Sequence, residues 1–170
     1  MIAFGQQLVF KIYHLFFKPL YHSRLMTINS TTCSGVFWWK PAAWLRLTGP
    51  DAANFLQGQF TNDLRAHETR SAVYGLWLTV KGKVVADSFV VRGMQADEFW
   101  IGSYFSPAAT IRERLESHII ADDVVIEDAT ADWNAVSIFG DELPADAAQR
   151  EAGEFVFPGR RGATASTERL

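Results

Sequence analysis

Asp87 is a carboxylate set in an apolar strand, and that placement is the clearest chemical signal in the chain. It lies in Val84-Val85-Ala86-Asp87-Ser88-Phe89-Val90-Val91, a run whose β-branched and aromatic make-up predicts a strand over 84–91. Side chains alternate faces along a strand. Val84, Ala86, Ser88 and Val90 therefore share one face, and Val85, Asp87, Phe89 and Val91 the other. Neither face is polar, so both are expected to be covered. An ionised carboxylate among such neighbours is costly unless it is paired or hydrogen-bonded. Two explanations stay open. Asp87 is a functional group presented to a ligand, or it is a structural group that pairs with Arg46 or Lys83 or accepts backbone N–H bonds at a bulge.

Other residues offer less specific chemistry. Gln57, Gln59, Asn62 and Asp63 carry amide and carboxylate groups that can line a polar cleft, although Asn62-Asp63 reads equally as a turn. Lys81-Gly82-Lys83 and Gly159-Arg160-Arg161-Gly162 can hold a phosphate or a glutamyl tail, or be plain solvated basic loops. Six tryptophans could stack on a flat heterocycle, but buried aromatic rings more often build core. His67 and His118 have no companion at ligand or triad spacing. The single Cys33 supports neither an intramolecular disulfide nor a cysteine metal cluster, which fits a reducing compartment. No metal site is expected. The sequence contains no P-loop, no dinucleotide fingerprint and no nucleophile elbow.

The elements that must position these residues follow from periodicity. Trp44-Leu45-Arg46-Leu47-Thr48 alternates as a strand. Gly49-Pro50-Asp51 opens a helix, with Pro at a position whose missing N–H is harmless and Asp51 placed for the helix dipole. Ala52, Phe55 and Leu56 form its apolar stripe, and Gly58 suits its end. Residues 72–80 predict a buried strand, Lys81-Gly82-Lys83 a turn with Gly82 free to take positive φ, and 84–91 the returning strand of a hairpin. A third strand covers 98–102. Ser106-Pro107 opens a second helix with Ser106 as its cap, with Ile111, Leu115 and Ile119 on one side and an Arg112–Glu116 pair on the other. Strands are expected at 124–127 and 135–139. Strand, helix, three strands, helix and two strands indicate an α+β fold: an antiparallel sheet, meander or Greek-key-like, with two packed helices. Beyond Gly140 a short helix at 144–149 is possible, and the polar tail over 159–167 reads as a frayed loop.

Composition bounds the rest. The chain has 170 residues, 48% of them hydrophobic, enough for one domain with a sizeable core. The net charge of −3 argues against general nucleic-acid binding. Residues 1–50 hold five basic residues and no acid, whereas 51–170 hold 11 basic and 19 acidic residues for a net charge of −8. That asymmetry sets the first stretch apart. The apolar run at 8–17 contains Lys11 and His14 and is too short to span a bilayer. Residues 1–35 are read as a non-family extension: a targeting segment, a membrane-surface helix, or translated upstream sequence with Met26 as the natural start. The domain proper is expected over 36–140 and a poorly ordered, truncated tail over 141–170. No transmembrane segment is expected. A cytoplasmic location follows, or an organellar matrix if residues 1–35 are a targeting segment.

The segments Leu47-Thr48-Gly49-Pro50-Asp51, Phe55-Leu56-Gln57-Gly58-Gln59 and Thr61-Asn62-Asp63, with the Gly82-Lys83 turn and Asp87, resemble the opening part of the YgfZ/GcvT folate-binding group, relatives of the glycine-cleavage aminomethyltransferase. Asp87 matches the position at which those transferases carry a catalytic Asp lying against the folate. The resemblance implies tetrahydrofolate as ligand, with Gln57, Gln59, Asn62, Asp63 and Asp87 as candidate binding residues. It implies a role in maintaining iron–sulfur enzymes and the tRNA modification that depends on them, with iron–sulfur client proteins as partners. Transferases tend to have a second Asp where this chain has Ala86, which favours the YgfZ-like reading over aminomethyl transfer. The Lys-Gly-Cys signature of YgfZ-like proteins is absent, and the match covers a third to a half of a full-length member. A truncated member, or a fragment without function, is therefore also an expectation.

Overall fold

The computed structural model describes residues 35–65, 72–139, 153–161 and 165–170. Cys33, His67, the possible helix at 144–149 and all but the last residue of the 1–35 extension lie outside these residues. The chain is α+β, with nine strands in two antiparallel sheets and two helices among the described residues.

Strands β1 (Gly35–Trp39) and β2 (Ala43–Thr48) lead into helix α1 (Ala52–Gln59). Strands β3 (Ala72–Leu78), β4 (Val84–Arg92) and β5 (Glu98–Ser103) follow as the expected meander. Helix α2 (Ala108–Glu116), β6 (Val125–Asp128), a 3-10 turn (Thr130–Asp132) and β7 (Ala135–Phe139) come next, then β8 (Val156–Pro158) and β9 (Ser166–Arg169). One sheet has the order β3-β4-β5-β2-β6 and the other β1-β7-β9-β8. Gly82 takes positive φ (76°) in the β3–β4 turn, as expected there.

The five-stranded sheet buries both faces, and strand alternation sorts its side chains. Leu45 and Leu47 of β2, Ala86 and Val90 of β4, and Phe99 and Ile101 of β5 pack with Ala52, Phe55 and Leu56 of α1 and with Ala108, Ile111 and Leu115 of α2. The intervening positions, Trp44, Phe89 and Val91, join Tyr104, Ala135, Phe155, Phe157 and Leu170 in a second core against the other sheet. That core is aromatic: Trp44 and Phe155 lie 5.4 Å apart and Phe89 and Phe157 5.2 Å apart between ring centroids. The layers are helices, large sheet, small sheet. Arg112 and Glu116 form the expected pair on the outer side of α2 at 2.6 Å.

The structure corrects two expectations. The reading of the 159–167 tail as a frayed loop is corrected at its end: residues 159–161 do form a loop, but Ser166 and Thr167 open β9, which occupies the interior of the four-stranded sheet, between β7 and β8. Its period-two signal is hidden because the inward positions are Ser166 and Glu168 rather than apolar residues. Glu168 is fully buried, and the Ser137 and Ser166 hydroxyls donate to its oxygens at 2.5 Å and 3.3 Å. Gly159 makes room for it, since a Cβ there would lie 2.0 Å from the Glu168 Oε1. The second correction concerns α2, which is capped at Pro107 without a side-chain bond, because the Ser106 hydroxyl is committed elsewhere. Among the described residues no helix is long and apolar enough to cross a membrane.

Candidate functional site

The register of β4 places Asp87 on the face that looks toward the small sheet, near the start of the strand. Phe89 and Val91 on that face are buried, while Asp87 is half-buried. Three hydroxyls hold its carboxylate. Ser106 Oγ and Ser103 Oγ donate to Oδ1 at 2.5 Å and 3.2 Å, and the Tyr74 phenol donates to Oδ2 at 3.1 Å. Tyr74 sits opposite Phe89 in the β3–β4 pairing, so it reaches Asp87 along the cross-strand diagonal. Ser103 closes β5, and its Oγ accepts the N–H groups of Phe105 (3.2 Å) and Ser106 (2.9 Å). Ser106 Oγ in turn accepts the Asp87 N–H at 3.1 Å. The turn after β5 is thus folded onto the carboxylate by its own hydroxyls.

The pairing of Asp87 with Arg46 or Lys83 is not found. Arg46 is held by Glu98 at 2.8 Å and Glu127 at 3.2 Å. The reason is topological: β5 stands between β2, which carries Arg46, and β4. Lys83 lies in the exposed hairpin turn. Among the described residues no cation forms an ion pair with Asp87. Burial, then the Asp87 acceptor, pushes the Tyr74 phenol above its ordinary value, so it remains a donor at neutral pH.

The Gly159–Arg161 stretch borders this arrangement. The Arg160 guanidinium lies 4.3 Å from the centroid of the Tyr74 ring, and the Arg160 N–H donates to the Tyr104 hydroxyl at 3.1 Å. Tyr104 is pushed well above the usual phenol range, mainly by burial.

The other candidate residues are placed differently. Gln57 Oε1 accepts the Leu64 N–H at 2.7 Å and so holds the loop after α1. Gln59 Oε1 accepts from Arg114 Nη1 at 3.0 Å, and Arg114 Nε donates to the Leu78 carbonyl at 2.8 Å, joining the helices to the end of β3. Asn62 accepts the Asp63 N–H at 2.9 Å and donates to the Tyr74 carbonyl at 3.1 Å. Asp63 is gripped by Arg65 at 2.8 Å, and the Arg65 side-chain bond is the main reason its carboxyl is lowered to about 2. None of the four hydrogen-bonds to Asp87, and Asn62 approaches it only through the Tyr74 backbone. Tyr74, Ser103 and Ser106 are the site residues that sequence reasoning missed. Their signal is a pair of serines three apart, one closing and one following the strand that neighbours the one carrying Asp87.

What this arrangement can do is accept hydrogen bonds. A carboxylate has about four lone-pair sites, and three hydroxyl donors leave one for a ligand N–H. The half-buried position and the nearby aromatic rings suit a flat, N–H-bearing heterocycle better than a hydrated cation.

Comparison with known proteins agrees with the fold. The family described as the GCVT N-terminal domain matches residues 32–144. An uncharacterized protein of Aquifex aeolicus (strain VF5) is 29% identical over 96 residues, covering 56% of this chain and 62% of that protein. The glycine cleavage system aminomethyltransferase T of Bartonella henselae superposes with a TM-score of 0.63 at 13% identity, covering 80% of this chain and 41% of the transferase. The chain thus spans less than two thirds of either protein's length.

Proposed function

Because this chain belongs to the GCVT N-terminal domain family, we propose that it binds tetrahydrofolate at Asp87 and serves as a YgfZ-like factor in iron–sulfur cluster maintenance and the tRNA modification that depends on it. The observation that carries the reading is the Asp87 carboxylate, oriented by Tyr74, Ser103 and Ser106 and free of any cation among the described residues. A group held in that way keeps its charge and its direction for an incoming donor. The carboxylate acceptor fits a reduced pterin, whose ring N–H and amino groups are donors that call for one. Tetrahydrofolate supplies a carrier for one-carbon units when bound. Asp87 would hold its ring, Tyr74 and the two serines would hold Asp87, and the Tyr104–Phe105 turn would shield the ring from water.

Binding is favoured over aminomethyl transfer. Ala86 stands where transferases tend to carry a second Asp, and it is buried in the apolar core against the helices.

Titration of tryptophan fluorescence with tetrahydrofolate, checked by calorimetry, tests the binding. A saturable signal is expected in wild type, with about a tenfold to hundredfold loss in Asp87→Asn, as befits removal of a charged acceptor. Equal affinity in the variant would make Asp87 purely structural. The cellular role is tested by supplying the chain to cells lacking their own YgfZ-type factor and measuring iron–sulfur-dependent tRNA modification.

A further inference from the structure

Arg161 is the residue whose chemistry the fold leaves unused. Its guanidinium carbon lies 4.3 Å from the ring centroid of Tyr104, 4.5 Å from Trp39, 5.2 Å from Phe37 and 5.5 Å from Phe105. Four rings therefore hold the cation in place by cation–π contact. Its Nε is buried without a hydrogen-bond partner, and so is the indole Nε1 of Trp39, one of the four rings. No carboxylate among the described residues forms an ion pair with it. Glu168 acts on it through space without forming an ion pair, and its oxygens accept from the Ser137 and Ser166 hydroxyls. Burial lowers the Arg161 pKa, as expected of a cation with no bonded anion.

Two buried donors without acceptors, one of them cationic, call for an anionic acceptor. Arg161 as a whole residue is only half-buried, so an acceptor has an approach to the side chain. Phe105, 75% exposed and next to the guanidinium, offers an open ring face beside it. We propose that Arg161 and the Trp39 indole N–H form a receiving site for a ligand carboxylate carried on a flat aromatic group. The site adjoins Asp87 through one short turn, since the Phe105 N–H is held by the same Ser103 hydroxyl that donates to Asp87. The choice of a folate-like probe rests on the proposed function, whereas the carboxylate site rests on Arg161 itself.

The test uses two probes on the full chain, each measured by calorimetry. One is p-aminobenzoyl-glutamate, which has the ring and carboxylates without the pterin. The other is a tetrahydropterin, which has no carboxylate. Wild type is expected to bind p-aminobenzoyl-glutamate, with about a tenfold or greater loss in Arg161→Gln. Arg161→Lys should lie between the two, because an ammonium keeps the charge and loses the planar fork. Trp39→Phe should weaken binding a few-fold while keeping the ring. Tetrahydropterin affinity should be the same in all four proteins. If Arg161→Gln does not fold by circular dichroism, Arg161→Lys and Trp39→Phe decide the outcome. Absence of p-aminobenzoyl-glutamate binding to wild type, or equal affinity in the variants, would overturn the proposal. Failure of tetrahydropterin alone would remove the folate reading of Asp87 and leave the carboxylate site standing.

Discussion

Asp87 and Asp63 are put to opposite uses. Asp63 is spent locally on Arg65, whereas Asp87 is held by three neutral hydroxyls that leave its charge uncompensated. The local use of Asp63 is measurable by titration. The carboxyl of Asp63 should titrate near 2 in a pH series of carboxyl NMR shifts, and Arg65→Ala should return it to the ordinary range near 3.8. A carboxyl lowered on folding stabilises the fold above its unfolded value, and that contribution fades as pH falls toward the folded one. Because Asp63 is exposed, the titration should move far more than the stability does. At the Asp87 site, Tyr74→Phe removes one of the three donors and keeps the ring. It should weaken tetrahydrofolate binding several-fold, less than Asp87→Asn, since a neutral hydroxyl contributes less than the acceptor it orients.

The β9 strand shows where sequence reading succeeded and where it failed. Elements with apolar inward positions were legible: β2 through β7 and α1 lie within a residue or two of the positions their periodicity predicts, while α2 ends at Glu116, three residues before the Ile119 of its predicted stripe. β9 was not legible, because Ser166 and Glu168 face inward and their hydroxyl network is assembled from β7, thirty residues upstream. Ser106 was misread for a related reason. A Ser before Pro carries a local capping signal, and only the β4–β5 pairing shows that Asp87 competes for its hydroxyl. Asp87 itself was legible as an anomaly, but its partners, on β3, at the end of β5 and just after it, were not. The close approach of the Gly159 backbone to Glu168 gives a prediction for this sheet. Gly159→Ala forces a methyl against the buried carboxylate and should cost about 1–3 kcal/mol, read by chemical denaturation. A smaller effect would mean that β8 can shift outward at little cost.

Across the molecule, one acid-sensitive link joins β2, β5 and β6. Burial alone would raise Glu98, but the Arg46 side chain and the Gln95 and Met94 amides outweigh it and hold Glu98 below its ordinary value. The unfolded chain therefore takes up this proton first as pH falls. The stabilisation is complete above the ordinary carboxylate range and is lost as pH drops through the lowered folded value. Glu98→Gln should flatten the fall of melting temperature with acid below about pH 5. An unchanged slope would show that other carboxylates carry the acid sensitivity. The order of strands also governs how the chain matures on the ribosome. The large sheet is complete once residue 128 has emerged, but the small sheet needs β1, from the beginning of the described chain, together with β9, from its last residues. Until synthesis reaches that point, β1 can pair only with β7, and Trp44, Phe89 and Val91 lack the cover of Phe155, Phe157 and Leu170. The nascent protein therefore passes through a stage with an open aromatic face, the stage at which a chaperone or a neighbouring chain would find it.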